Sequence, residues 1–120
     1  MEQETVPDIR DQVTIDDFER LDIRVGRIVA ANPFPAARKP AYQLTIDFGP
    51  LGIRRSSVQI TEVYRLEDLP GKQVLAVVNF PPRRIAGFSS EVLVLGLPDA
   101  AGHVVLLTPE SETPLGGRVF

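Results

Sequence analysis

Residues 42–60, YQLTIDFGPLGIRRSSVQI, carry the pattern that decides the fold. Tyr42, Leu44, Ile46 and Phe48 fall on one face of an extended chain, and Gln43, Thr45 and Asp47 fall on the other. Alternation with a period of two is how a strand with one buried face is written, so Tyr42 and Phe48 read as core rather than as ligand-stacking rings. Gly49-Pro50-Leu51-Gly52 is a turn, and a further strand runs from Ile53 to Ile60 with a polar start, Arg54-Arg55-Ser56-Ser57. Upstream, Ile23 to Ala31 begins with Ile23 and Val25 on one face and changes parity at Gly26-Arg27, so that Ile28 continues the apolar pattern. Such a slip beside a glycine predicts a bulge or sharp bend. Downstream, Gln73 to Asn79 is nearly all apolar, as in a strand buried on both faces. Val92 to Leu97 and Val104 to Leu107 flank the five residues Pro98 to Gly102 and predict a hairpin.

These short strands, with a helical or irregular stretch from Thr61 to Leu69 between the third and fourth, predict an all-β, five-stranded oligonucleotide/oligosaccharide-binding (OB-fold) barrel. Thr14 is placed to cap a short helix with Asp16 and Asp17 in its first turn. Ile15, Phe18 and Leu21 form one apolar stripe along it, and so short a helix has to dock on something. Residues 1–13 lack periodicity and read as a flexible N-terminal arm, leaving one domain over residues 14–120 with a C-terminal tail extension ending in Val119-Phe120.

Composition narrows the function. The chain has 120 residues, no cysteine and one histidine, which excludes thiolate chemistry, zinc ribbons, His-pair metal sites and most proton relays. No G-x-S-x-G elbow is present, and GPLGIR lacks the spacing and lysine of a phosphate loop. His103 reads as a solvated turn residue, and Asp16, Asp17 and Glu19 as solvated helix residues. The expectation is a protein that is not an enzyme and needs no cofactor or metal. No apolar run is long enough to span a bilayer, and the acidic N-terminus lacks an apolar signal core, so a cytoplasmic protein without membrane insertion is expected.

The net charge of −3 conceals segregation: residues 1–22 carry −6, residues 23–90 carry +6 and residues 91–120 carry −3. A basic middle attracts anionic partners. Its charge is concentrated in three pairs, Arg38-Lys39, Arg54-Arg55 and Arg83-Arg84. In an OB-fold these fall on the loop between strands one and two, on strand three, and on the connection after strand four, the elements that border the usual ligand face. Convergence of the pairs would neutralise phosphates and offer guanidinium planes. Phe34 and Phe88 sit in loops beside basic residues; each either stacks on a ligand, lines an apolar pocket, or folds back on the barrel. Asn79 either bonds a ligand or ties down loop backbone.

LDIRVGRI at residues 21–28, SSVQIT at 56–61 and NFPPRRIAGFSSEVLVLG at 79–96 together resemble the tRNA-binding-domain family. RKPAYQL at 38–44, SEVLVLG at 90–96 and the PLGGRVF tail are similar to its CsaA branch of export-related chaperones. The resemblance implies a homodimer whose subunit contact the N-terminal helix and C-terminal tail help build; the stripe of Ile15, Phe18 and Leu21 and the apolar end Val119-Phe120 either form that contact or dock on their own barrel. It also implies binding of unfolded or pre-secretory polypeptides, with tRNA as the alternative partner. In tRNA-binding relatives the loop after the asparagine reads like N-L-K-P-x-K-M-x-G. Here Pro81 stands in place of the first lysine and Arg84 corresponds to the second. Arg55, Asn79, Arg84 and Ser90 are the positions carried over from the family.

Overall fold

The computed structural model describes residues 8–120. Residues 1–7 of the expected N-terminal arm lie outside the described residues, and residues 8–14 have no regular structure. One helix, α1 (Ile15–Glu19), begins at Thr14, whose side chain and backbone form a reciprocal capping box with Asp17. The strands are β1 (Ile23–Pro33), β2 (Tyr42–Asp47), β3 (Ile53–Val58), β4 (Gln73–Val77), β5 (Arg83–Ile85), β6 (Phe88–Ser90), β7 (Leu93–Val94), β8 (Gly96–Pro98) and β9 (Val104–Leu106).

Five of these strands form one antiparallel sheet in the order β3-β2-β1-β4-β7. Bonds between its two edges nearly close it into a barrel: Glu91 N–H donates to the Arg55 carbonyl at 2.8 Å, and the buried Ser56 hydroxyl donates to the Val92 carbonyl at 2.8 Å. The interior contains Ile28, Leu44, Ile46, Phe48, Leu69, Val74 and Ala76, all fully shielded. The alternation in residues 42–48 therefore turns its apolar face inward as expected.

The bend in β1 is distributed differently from the sequence expectation. Register with β4 runs unbroken from Ile23 to Arg27, and the irregularity against β2 falls between Ile28 and Ala30, at half-exposed Val29. Gly26 has another task. A Cβ there would stand 2.6 Å from Ile46 Cγ2 and 2.8 Å from the Phe48 ring, so only hydrogen allows β1 to cross these side chains so closely. Between Thr61 and Leu69, read as helical or irregular, the structure is irregular, with turns and a single 3₁₀ turn at Leu66–Asp68.

The connection after β4, residues 80–90, where the sequence reading puts Phe88 in a loop, contains a β-hairpin with a two-residue turn, β5–β6, with Ile85 opposite Phe88. Its central residues, Ala86 at φ 48° and Gly87 at φ 83°, both have positive φ, the mark of a type I′ turn. The β8–β9 hairpin encloses the five residues Asp99 to His103, one position later than expected. The C-terminal segment lies along the first half of β1: Gly116 N–H donates to the Val25 carbonyl at 2.8 Å, and Val119 N–H to the Ile23 carbonyl at 2.8 Å. Gln73 clips the same segment, donating to the Thr113 carbonyl at 2.7 Å and accepting from its N–H at 3.1 Å. No helix among the described residues is long and apolar enough to cross a membrane.

Candidate functional site

A groove of about 890 Å³ opens between the β1–β2 loop and the β5–β6 hairpin. Arg38 and Lys39 stand on one side of it and Arg83 and Arg84 on the other. Ser57 and Gln59, from β3 and its continuation, contribute polar groups, while Ala37, Ala41 and Ile85 contribute apolar surface. A shallower notch of about 330 Å³ adjoins it, framed by Pro33, Pro35 and Pro40, and shares Ala37, Arg38 and Ala41 with the groove.

The charges here have no ion-pair partner among the described residues: no carboxylate lies within ion-pair distance of Arg38, Lys39, Arg55, Arg83 or Arg84. Five other arginines do have carboxylate partners: Arg20 pairs with Asp17, Arg24 and Arg118 with Asp22, Arg27 with Glu112, and Arg65 with Glu67 and Asp68. Like charges gathered without partners create a local positive potential that an anionic ligand relieves.

Two of the three predicted basic pairs thus converge, and the third divides. Adjacent strand residues point to opposite faces. Arg55 shares the parity of Ser57 and Gln59 and faces the groove side, whereas Arg54 shares the parity of buried Ser56 and Val58 and donates instead to the Leu51 carbonyl at 3.3 Å. Arg54 is therefore removed from the site.

Phe34 and Phe88 are each 5% exposed, so neither presents an open ring for stacking; Phe88 folds back, and Phe34 folds back while its edge lines the proline-framed notch. Their ring centroids are 5.3 Å apart, and the Arg55 guanidinium covers Phe88 at 4.4 Å. Asn79 is occupied by backbone: its Oδ1 accepts from Asp22 N–H at 2.9 Å and its Nδ2 donates to the Arg20 carbonyl at 2.8 Å. It ties the end of α1 to the end of β4 and lies outside the groove. Ser90 Oγ accepts from Ser57 N–H at 3.0 Å, so it fastens the hairpin to β3.

Gln59, Ala37 and Ala41 were not singled out from the sequence. For Gln59 a signal existed, its shared parity with Arg55 and Ser57; the alanines carry none. Of the residues expected at a subunit contact, Ile15 is 69% and Phe120 fully exposed, while Phe18, Leu21 and Val119 are half-buried. Among the described residues, no group of three or more His, Asp or Glu side chains is arranged to hold a metal ion.

Comparison with known proteins agrees with the fold. The chaperone CsaA of Bacillus anthracis superposes with a TM-score of 0.86 at 53% identity, covering 92% of this chain and all of that one. CsaA from Picrophilus torridus gives 0.85 at 48% identity, covering 91% of this chain and again all of the other. The methionine–tRNA ligase of Methanococcoides burtonii is 38% identical over 107 residues, 89% of this chain but only 16% of the ligase, where the domain is one part of a larger enzyme. Since the tRNA-binding domain family model also matches residues 23–118, the chain belongs to the tRNA-binding-domain family and is similar over its length to CsaA chaperones.

Proposed function

We propose that this chain is a CsaA-type chaperone module, a homodimeric, non-catalytic cytoplasmic protein that holds unfolded or pre-secretory polypeptides in its groove and assists their export. The observation that carries this reading is whole-chain likeness: the chain covers both chaperone structures completely at 53% and 48% identity. The groove's chemistry supports it. An extended polypeptide presents apolar side chains, carbonyls and carboxylates in succession, and here apolar surface at Ala37, Ala41 and Ile85 adjoins four cations and a proline-framed notch.

A second reading, binding of tRNA through the same groove, is favoured by the absence, among the described residues, of carboxylate partners for Arg38, Lys39, Arg83 and Arg84 and by the family itself. Salt separates the two. Contact with about four phosphates makes affinity fall roughly a hundredfold between about 50 and 200 mM salt. A polypeptide held mainly by apolar burial weakens far less. Titrating tRNA and a chemically unfolded, labelled polypeptide against one preparation tests both. Failure to bind the polypeptide or to suppress its aggregation at about 150 mM salt, with tRNA still bound, overturns the chaperone reading.

The homodimer is proposed to form through Ile15, Phe18, Leu21, Val119 and Phe120. Exposed Ile15 and Phe120 support this, since large apolar side chains are costly to leave in water. Deleting residues 1–21 is expected to shift sedimentation toward monomer. A dimer that persists would remove the helix from the contact.

A further inference from the structure

The four cations of the groove belong to two chain segments that share no strand ladder. Arg38 and Lys39 lie on the loop between β1 and β2, and Arg83 and Arg84 on β5. A ligand meeting all four needs a set distance between these segments. Among the described residues, no side-chain hydrogen bond or ion pair joins loop 34–41 to the hairpin.

What joins them is a small apolar cluster separate from the barrel interior: Phe34, Ala41 and Phe88, with Ala37 and Ile85 packed against them. The two rings meet at 5.3 Å and 56°, within the range of favourable tilted aromatic pairs. The Arg55 guanidinium lies 4.4 Å from the Phe88 centroid, a cation–π contact. Since Arg55 belongs to β3, the stack gathers three segments: the loop supplies one ring, the hairpin the other, and the barrel wall the cation. The hairpin has a second tie to the wall through Ser57 N–H and Ser90 Oγ. The loop's tie to the hairpin is apolar.

We infer that the Phe34–Phe88–Arg55 stack is a positioning clamp that sets the spacing between the two cationic pairs, so that Phe34 and Phe88 govern binding of an anionic ligand through the placement of those cations. The inference rests on the groove being the binding site proposed above. Because the clamp's apolar cluster is separate from the barrel interior, opening it uncouples the two arms while the barrel stays folded. Each arm then keeps its own charges but no longer presents them together, and the advantage of a preorganised site is lost.

The test uses the full chain and the variants Phe34→Ala, Phe88→Ala and Phe88→Leu. Hydrogen exchange needs no ligand. Phe34→Ala is expected to accelerate exchange in residues 83–90 about tenfold, and Phe88→Ala in residues 34–41, with the amides of β1, β2 and β4 unchanged. In titrations with unfractionated tRNA, Phe88→Ala is expected to flatten the log-affinity against log-salt slope by about 1.4–1.8, the equivalent of two phosphates. Phe88→Leu, which retains apolar contact, is expected to restore most of the slope. If exchange in the opposite segment does not move in either alanine variant, or if the slope is unchanged, the clamp is overturned. Arg38→Glu and Arg84→Glu, measured alongside, separate the two levels. If they leave tRNA affinity at the wild-type value, the groove is not the RNA site, and the exchange result alone decides the clamp.

Discussion

The barrel interior and the outlying cluster at Phe34 and Phe88 are both apolar, yet they differ in scale and in what they hold together. The interior joins β1, β2 and β4 through Ile28, Leu44, Ile46, Phe48, Val74 and Ala76, all shielded from water. The outlying cluster has only Phe34, Ala41 and Phe88 at its centre and joins a loop to a hairpin. The arginines show a parallel contrast. Those at 20, 24, 27, 65 and 118 face carboxylates, whereas Arg38, Arg83 and Arg84 line the groove without partners among the described residues. The lesson is a division of labour: burial in the interior maintains the barrel, while a modest contact outside it arranges charges that are left free for a partner.

The contrast breaks most severely from the interior side. Phe48→Ala should cost about 3–5 kcal/mol of stability, seen as a large fall in the urea midpoint; an effect below about 1 kcal/mol would show that the interior does not carry the fold. Gly26→Ala comes next. Its Cβ would collide with Ile46 and Phe48, and overpacking of this kind costs about 1–3 kcal/mol, to be read as a lowered Tm with the groove's ligand affinity retained per folded molecule.

Charge reversal sharpens the other side. Arg84→Glu, and separately Arg38→Glu, should weaken tRNA binding tenfold or more, equivalent to about 1.4 kcal/mol, with no change in thermal unfolding. A smaller gain is expected at the hairpin turn. Ala86 has φ 48°, a left-handed conformation that Asn tolerates better than Ala. Ala86→Asn should therefore slow amide exchange in residues 83–90 severalfold. The smallest effect belongs to Arg54→Gln. Its side chain shares the core-facing parity of β3 and bonds to Leu51, so tRNA affinity should stay within twofold; a loss as large as that of Arg84→Glu would return Arg54 to the site.

Much of this architecture is legible along the chain because its determinants are local. The inward face of Tyr42, Leu44, Ile46 and Phe48 follows from strand periodicity, and the α1 cap at Thr14 from residues three apart. The β5–β6 hairpin was also written locally, in the Ala86-Gly87 dipeptide, but alanine is an unusual occupant of a positive-φ position and masks the turn. The division of Arg54 from Arg55 was legible too, since parity along β3 separates neighbours. Treating them as a pair concealed it. Phe34 and Phe88 were another matter. Their burial depends on one loop meeting a hairpin some fifty positions away, and no local pattern encodes that contact.

By itself, then, the amino-acid order determined an all-β barrel with a short capped helix, a basic middle and little equipment for catalysis. Periodicity, turn residues and composition act over a few positions and need no knowledge of the fold. Only the tertiary structure decided that Arg38, Lys39, Arg83 and Arg84 border one groove, that Asn79 serves the backbone, and that two phenylalanines pack against each other. Those outcomes depend on how barrel closure juxtaposes loops distant along the chain, and spacing in sequence does not specify distance in space.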